Sequence, residues 1–407
     1  MQQIRAELQQ TDKASGQGPF QTSLGVALTD YGRQRLPYLK GARQEAQRIN
    51  QYLRAIGLPI FKVEEISEPV TDVRNKGLRH FNVTLVAEKE RTIRNSLKQH
   101  RQQQDAQRAE ADRVRKRLSA TPVAEITMRQ MQALMDAMVD AGVAPATIQL
   151  ERALLRHFFN HARKQWQWTR PHQNPAGEGL TLPTVDNKRD QVLTQRDWER
   201  LHVHLKDYCN PYAYPLVMLL LESAMRIGEP LVHTSWGDVD WERNILRLGD
   251  AKAGQRNVPL SPHAVRILRG LQAQDEASKP ADRIFKTTYE AIKKAWADSC
   301  KKAGISDIRL HDLRHTSATR YAIEFNGNQP YLKVITGHKT DVMLNRYINI
   351  KAEHVALAMH KKEIPPELAP AGYRGSLFDA DAEEFPEVSP AARASNVIRV
   401  AFGRAAA

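Results

Sequence analysis

The chain has 407 residues, 41% of them hydrophobic, which is long enough for roughly two or three domains with buried cores. It holds no run of about 20 apolar residues, and Met1–Gly16 lacks the apolar stretch of a secretory signal, so we expect neither a membrane span nor export. Sixty Lys and Arg residues against 46 Asp and Glu give a net charge of +14, which favours a polyanionic partner.

The cysteine content is low. Cys209 and Cys300 lie 91 positions apart. Such a pair gives neither a metal-binding spacing nor a disulfide framework. We therefore expect two reduced and mostly buried thiols in a cytoplasmic protein.

Helical patterns dominate the first half of the chain. Residues 1–20 are rich in Gln, Gly and Ser and predict a disordered lead-in. From Leu24 to Ile56 apolar residues recur at helical spacing, whereas residues 60–85 show no clear pattern. The charged stretch Val86–Leu118 predicts a solvated helix held by ion pairs, and an arm lying along DNA is the alternative.

Two further helices are predicted in this half. Ile126–Val139 carries a methionine stripe, which is typical of a core-facing side. Thr147–Trp166 has one apolar and one basic face, which suits packing on a core while facing phosphates. The candidate DNA-contacting side chains on that basic face are Arg152, Arg156, Arg163 and Lys164. We predict one helical domain over residues 21–180, with an insertion at 60–118.

A second domain is predicted over residues 190–360. It follows a linker rich in Pro and Gly and begins near Thr194, a predicted helix N-cap. Its predicted elements are an apolar helix at 216–221, strands at 245–248 and 257–260 around a hairpin turn, and helices over 289–302 and from 311 onward. Residues 361–407 form an acidic tail rich in Pro and Ala.

The second domain contains residue types that suit one reaction. Cutting a phosphodiester without a metal puts extra negative charge on the non-bridging oxygens, which guanidinium groups can bind in bidentate fashion. A nucleophile must attack, and a proton donor must help the 5′-oxygen to leave. The minimum set is two Arg, a Tyr or Ser, and one or two His or Lys.

This set is present in order. Each residue alone means little, because a lone Arg is usually a surface charge and a lone Tyr usually lies at a core edge. The members are Arg226 in A-M-R-I-G-E-P, Lys252 at the predicted hairpin turn, His311 and Arg314 in H-D-L-R-H, His338 in T-G-H-K, and Tyr347 in L-N-R-Y.

The ordered set resembles that of the tyrosine recombinases, which include phage integrases and DNA invertases. The family pattern runs Arg, Lys, His-x-x-Arg, His, Tyr, and the intervals here are 26, 59, 3, 24 and 9 residues. The flanking words M-R-I-G-E, N-V-P-L-S, L-H-D-L-R-H-T-S-A-T and T-G-H-K-T agree as well. The likeness is strong over 190–360 and weaker over 21–180, and within the family the shufflon-type invertases look most similar.

The resemblance implies a role for each matched residue. Tyr347 would attack the phosphate and form a 3′-phosphotyrosyl link, with His311 assisting the proton transfer. Arg226 and Arg314 would hold the phosphate oxygens. Lys252 would protonate the leaving 5′-oxygen.

Three other positions have supporting roles by the same resemblance. His338 would hydrogen-bond a phosphate oxygen, Glu229 would buttress the site, and His315 would support packing. The family usually places a Trp six residues after this Glu, whereas Trp236 lies seven after Glu229, which puts the path of the chain there in doubt.

The resemblance also implies an architecture and partners. The fold is expected to be mainly α with a small antiparallel β-sheet, in a two-domain DNA clamp made of a helical core-binding domain and a tyrosine recombinase catalytic domain. The expected partner is double-stranded DNA, bound by a homotetramer on two DNA sites, with no cofactor and no metal. The protein would be bacterial or phage-encoded and nucleoid-associated.

Several alternatives stay open. The same chemistry serves a topoisomerase, and the same fold without catalysis serves a DNA-binding accessory protein; a mixed α/β protein with ordinary ion pairs is the plainest alternative. Val355, Leu357, Ala358 and Met359 could dock on a neighbouring subunit or pack on their own core. The sequence does not reveal the target DNA, the choice among integration, excision and inversion, or a need for a bending or directionality factor.

Overall fold

The computed structural model describes residues 18–72, 77–88, 95–186, 189–249, 255–275 and 277–375. The chain divides into two compact units, Met1–Asn187 and Lys188–Ala407. Most of the predicted lead-in and the end of the predicted tail, residues 1–17 and 376–407, lie outside the described residues.

The first unit is helical, with one antiparallel hairpin among its described residues. Its elements are α1 Leu24–Arg35, α2 Ala42–Ala55, β1 Ile60–Asp72, β2 Gly77–Val86, α3 Asn95–Ala120, α4 Met128–Asp140 and α5 Pro145–Gln165. The helical pattern predicted from Leu24 to Ile56 is in fact two helices, because a 3-10 turn containing Pro37 separates them. The methionine stripe faces the core as predicted, and Met131 and Met135 are buried.

One buried side chain fixes the base of the hairpin. The Asn50 amide donates to the Phe61 carbonyl at 2.9 Å and accepts from the Phe61 N–H at 2.8 Å, as a neighbouring strand would. The Phe61 ring packs where Gly32 has no side chain, since a Cβ there would lie 2.4 Å from the ring. The hairpin is therefore held against α1 and α2.

Helix α3 is exposed at most of its described positions, as its charge predicts, but it buries one face of its C-terminal half. In its C-terminal half Ala111 and Leu118 are buried, and the Arg115 side chain is only 6% exposed. Arg115 Nη1 lies 2.5 Å from Asp112 Oδ1, and its Nε lies 3.5 Å from Glu151 Oε1. One face of this half thus belongs to the core of the unit, and the solvated-helix prediction was wrong for that face alone.

The second unit is mainly helical with a three-stranded antiparallel sheet, as predicted. Its helices are α6 Gln195–Lys206, α7 Ala213–Ser223, α8 Gly228–Val232, α9 Pro262–Gln274, α10 Tyr289–Ala303, α11 Asp312–Glu324, α12 Gln329–Thr336, α13 Asp341–Asn345 and α14 Ala352–Met359. The sheet order is β3 Val239–Asp240, β4 Ile245–Leu248, β5 Arg256–Pro259. Thr194 is the N-cap of α6, accepting from the Asp197 N–H at 3.1 Å, as its sequence predicts.

Two composition-based expectations have different outcomes. Across the described ranges, no helix combines the length and apolar character needed to cross a membrane. Cys300 is buried, but Cys209 is exposed, so the expectation of mostly buried thiols was wrong for Cys209. The reason is its place in the loop after α6.

Part of the predicted tail packs on the second unit. Residues 366–375, the C-terminal strap, run back to the start of α6, where Ala371 N donates to Leu193 O and Gln195 N donates to Ala369 O, each at 2.8 Å. Ala371 is fully buried. The strap therefore completes the core of this unit.

A buried carboxylate anchors the end of the strap. Glu222, 1% exposed, accepts from Arg374 at 2.6 Å, from Ser261 at 2.7 Å and from the fully buried Arg320 at 3.3 Å. Burial alone would raise the pKa of Glu222, but Arg320 and Arg374 outweigh it and lower the pKa to about 2. The carboxylate stays charged because its partners hold it so.

Helix α14 leaves apolar side chains at the surface. Val355 is 50% and Met359 79% exposed, Ala358 is exposed, and Leu357 is half-buried. Val355, Ala358 and Met359 thus do not pack on their own core in the described part of the chain, whereas Leu357 is partly covered.

Removal of the anchor should destabilise the second unit. Arg374→Ala is expected to lower the free energy of unfolding by about 1–2 kcal/mol, because Glu222 is buried and loses a charged donor. The matched control is Arg196→Ala, whose pair with Glu367 is exposed on both sides and should contribute less than about 0.5 kcal/mol. Urea unfolding of both variants measures the difference, and equal losses would contradict the anchoring role.

Candidate active site

The six predicted catalytic residues come from five separate segments of the second unit. The structure brings five of the six together: Arg226, His311, Arg314, His338 and Tyr347. Glu229 and His315, predicted to support the site, lie in the same cluster. Lys252 lies outside the described residues.

Arg314 is the buried centre of the site. It is 1% exposed and sits in the first turn of α11. Its guanidinium donates to the carbonyls of Ala224 and Thr336, both at 2.6 Å, and to His338 Nε2 at 2.9 Å. The two carbonyls lie at the C-terminal ends of α7 and α12, where helix carbonyls carry partial negative charge. Two helix ends therefore hold the guanidinium in place.

Tyr347 packs among the histidines. Its ring stacks on His338 with centroids 4.6 Å apart, and His315 lies at the same centroid distance. The Arg314 guanidinium carbon lies 5.1 Å from the ring centroid. The Tyr347 hydroxyl lies 3.5 Å from His311 Nε2, so the ring is fixed while its oxygen faces a proton acceptor.

The backbone beside Tyr347 is tied to α11. Thr319 Oγ1 accepts from the Asn349 N–H at 2.9 Å and donates to the Tyr347 carbonyl at 3.4 Å. Asn349 Nδ2 also lies 3.4 Å from His315 Nδ1. The short helix α13, whose N-cap is Thr340, ends at Asn345, and Tyr347 lies two residues after that end.

Arg226 is oriented by Glu229. The chain leaves α7 through Ala224, whose φ of +51° ends the helix. The Glu229 carboxylate then accepts from the Arg226 N–H at 2.8 Å and from Arg226 Nη1 at 3.2 Å. The Arg226 side chain remains 26% exposed, so it can meet a ligand from solvent. Trp236, whose shifted position raised doubt about the chain path, is buried at the start of a 3-10 turn.

Sequence reasoning missed Arg256. It begins β5 opposite Leu248, on the strand that follows the predicted Lys252 turn. Its guanidinium donates to Glu229 Oε2 at 2.9 Å and to the Ile335 carbonyl at 3.0 Å. The only signal was a basic residue directly before N-V-P-L-S, and its two partners are distant in sequence.

The site is strongly electropositive. Burial, Arg314 and Arg226 lower the pKa of His338 to about 3, and burial with His311 lowers the pKa of His315 to about 4. Desolvation and the charge of Arg314 also lower the pKa of His311. Burial and Arg226 lower the pKa of Arg314 itself. Burial is the largest cause of these pKa shifts and the neighbouring cations add to it, so a bound anion would offset the second cause.

Three buried nitrogens in the site lack a partner among the described residues. They are Arg256 Nε, Arg314 Nε and His338 Nδ1. Since His338 Nε2 accepts from Arg314, a neutral His338 carries its proton on Nδ1. Buried unpaired donors beside crowded cations fit an anionic ligand such as a phosphate. Within the described ranges, no group of three or more His, Cys, Asp or Glu side chains could hold a metal ion.

The basic face of α5 lies in the first unit. Arg152 donates to the Gly177 carbonyl at 2.6 Å, Arg156 pairs with Glu178 at 3.3 Å, and Arg163 donates to the Pro171 carbonyl at 3.0 Å. Lys164 is exposed. Three of the four side chains thus bind the loop that follows α5, and their contact with DNA remains a prediction.

Known proteins share this domain. Residues 191–354 match the model of the phage integrase family. A shufflon-specific DNA recombinase of Escherichia coli is 33% identical over 207 residues, which is 51% of each chain. An integrase of Salmonella phage P22 is 24% identical over 237 residues, covering 54% of this chain and 58% of that protein. The chain therefore matches only about half the length of these curated relatives.

A solved structure supports the fold. The XerH site-specific recombinase, in a post-cleavage complex with palindromic difH substrate, is 14% identical with a TM-score of 0.50. The match covers 83% of this chain and 93% of that one. The likeness concerns the fold, which is mainly helical with a small antiparallel sheet, as predicted. Residues 191–354 therefore carry a domain of the phage integrase family, and the likeness to XerH shows the fold alone.

Proposed function

We propose that this protein is a site-specific DNA recombinase that cuts and rejoins DNA through a covalent link to Tyr347. The observation that carries the proposal is the pairing of the Tyr347 hydroxyl with His311 at 3.5 Å beside the buried Arg314. This places a nucleophile, a proton acceptor and a guanidinium in one cluster. The family match over this domain and the names of the curated relatives support the same reaction.

The proposed chemistry needs no external energy source. Tyr347 Oη attacks the phosphorus and gives its proton to His311, while Arg226 and Arg314 bind the non-bridging oxygens. The bond from phosphorus to the 5′-oxygen breaks, and Lys252 protonates that oxygen. A 5′-hydroxyl then attacks the 3′-phosphotyrosyl link, expels Tyr347 and restores the diester, so the covalent link conserves the bond.

His338 has a distinct part in this scheme. Its neutral ring accepts from Arg314 through Nε2 and would donate from Nδ1 to a phosphate oxygen. Arg314 Nε is a second buried donor in the same cluster. Donors that are already in place require little reorganisation when charge develops on the phosphate.

The proposal extends to the partner and the assembly. The net charge of +14 and the basic face of α5 suit double-stranded DNA. Recombination between two sites cuts four strands, which requires a homotetramer with four active sites. The exposed apolar side chains of α14, among them Val355 and Met359, suit contacts between subunits. The enzyme would act on bacterial or phage DNA in the cytoplasm, with or without a bending or directionality factor.

Covalent trapping tests the nucleophile. The protein is mixed with a supercoiled plasmid carrying the DNA that flanks its gene, in EDTA, and the reaction is stopped with detergent. Wild type should form a protein–DNA adduct, and Tyr347→Phe should form none while still shifting the DNA in a gel, because only the nucleophilic oxygen is lost. Tyr289→Phe, which removes an exposed hydroxyl on α10, is the matched control and should react like wild type.

Two results would count against the proposal. An adduct formed by Tyr347→Phe would show that Tyr347 is not the nucleophile. Binding without any adduct from wild type, also in the presence of host extract, would favour the DNA-binding accessory protein of the same fold.

The charge state of His338 predicts a pH dependence of stability. Its pKa is about 3 in the folded protein and near 6.5 when unfolded, so only the unfolded chain gains this proton as the pH falls from 6.5 towards 3. At pH 5 this should cost about 2 kcal/mol of folding free energy relative to pH 7.5. His338→Gln keeps an acceptor for Arg314 but cannot be protonated, so its stability should fall less steeply. Urea unfolding at both pH values checks this, and equal slopes would mean that His338 is not held neutral.

A further inference from the structure

We propose that Arg256 is a positioning residue that keeps Arg226 and His338 in a fixed relation across the active site. The inference rests on the recombinase function proposed above. It adds a third guanidinium to the site, one that orients other catalytic groups and does not itself bind the phosphate.

The first contact of Arg256 is shared with Arg226. Glu229 is 3% exposed and divides its carboxylate between the two arginines. Oε1 accepts from Arg226 Nη1 at 3.2 Å, and Oε2 accepts from the Arg226 N–H at 2.8 Å and from Arg256 Nη2 at 2.9 Å. Arg256 therefore fixes the carboxylate that orients Arg226, and without it Glu229 could turn towards Arg226 alone.

The second contact of Arg256 reaches the segment before His338. Its Nη1 donates to the Ile335 carbonyl at 3.0 Å, near the end of α12. Gly337 follows with a φ of +71°, and a Cβ there would lie 2.7 Å from Arg256 Cδ and 2.8 Å from Arg256 Nε. The Arg256 side chain thus packs against the left-handed turn at Gly337. This turn directly precedes His338, which stacks on Tyr347.

The position of Arg256 in the sheet adds a third link. It opens β5, paired with Leu248, so it closes the described stem of the hairpin whose turn carries Lys252 in the sequence. Its side chain is 11% exposed, although it carries a full charge. The Arg256 side chain therefore joins three parts of the unit: the stem of the hairpin, Glu229 beside Arg226, and the end of α12 before His338.

Arg247 on the same sheet forms an exposed ion pair, in contrast to the buried pair of Arg256. Arg247 on β4 pairs with Asp240 at 2.6 Å, and its side chain is 56% exposed. In the described part of the chain Arg247 donates to Asp240 on the adjacent strand β3, and no predicted catalytic residue takes part in this pair. Arg247 is thus a matched control on the same sheet.

Three variants separate positioning from general stability. Arg256→Met keeps the aliphatic chain against Gly337 but loses both hydrogen bonds and the charge. Arg256→Lys keeps the charge but cannot bind Glu229 and the Ile335 carbonyl with a planar fork. Arg247→Met removes the control ion pair.

Two readouts are compared in the full-length protein. The first is the rate of adduct formation on the same plasmid, with DNA binding followed by gel shift. Arg256→Met should slow adduct formation by about 10- to 100-fold at unchanged DNA binding, because misplacement of catalytic groups by about 1 Å has effects of that size. Arg256→Lys should recover part of the rate, and Arg247→Met should match wild type.

The second readout is hydrogen exchange followed by mass spectrometry, which does not depend on activity. Arg256→Met should raise exchange in peptides covering 226–236 and 333–340 together, and Arg247→Met in neither. A wild-type rate of adduct formation in Arg256→Met, or increased exchange spread evenly over the unit, would overturn the inference. If wild type forms no adduct even in the presence of host extract, the proposed function fails, while the paired change in exchange would still decide whether Arg256 bridges the two segments.

Discussion

A buried guanidinium, that of Arg314, sets the arrangement of the second unit. A charge at 1% exposure is tolerated only where acceptors surround it, and here these are the Ala224 and Thr336 carbonyls and the His338 ring. Ala224 lies at the end of α7, whereas Thr336 and His338 lie at the end of α12 and just beyond it. The need to solvate this one cation therefore brings the end of α7, the start of α11 and the end of α12 to one point, where Tyr347 also packs.

The helix that carries Arg314 is unusual in its burial. Every residue of α11 from Asp312 to Ala322 is buried, although many are polar or charged. Asp312 is satisfied by Arg189 at 2.8 Å, Thr316 by the Leu193 N–H at 2.9 Å, and Arg320 by Glu222. These bonds tie α11 to the first residues of the unit, and the C-terminal strap joins through Glu222. The candidate site thus rests on a network of buried hydrogen bonds and ion pairs.

Much of the site could be predicted because its chemistry dictates residue types in an order. Arg226, His311, Arg314, His338 and Tyr347 meet in space as their motifs imply, and the helical patterns locate most helices. The features that escaped prediction depend on contacts distant in sequence. The role of Arg256 depends on its contacts with Glu229 and Ile335. Both partners are distant in sequence, so the residues around Arg256 do not predict these contacts.

The buried face of α3 and the docked C-terminal strap escaped prediction for the same physical reason. The charged helix α3 was expected to be solvated, but Arg115 is buried because Glu151, 36 positions later, neutralises it. The acidic composition of the tail gave no sign of the strap, whose Ala371 fits the core beside Leu193. Periodicity reports on one element at a time, whereas buried ion pairs and docked strands are decided by the partner that tertiary structure supplies.

The most direct test of the central claim is the chemical identity of the linked residue. The trapped adduct would be trimmed with nuclease and digested with trypsin, which should release the short peptide from Tyr347 to Lys351. Mass spectrometry should find the residual nucleotide on Tyr347 through a 3′-phosphate. A nucleotide on any other residue would contradict the account, because the arrangement around Arg314 would then not be the one that cuts DNA.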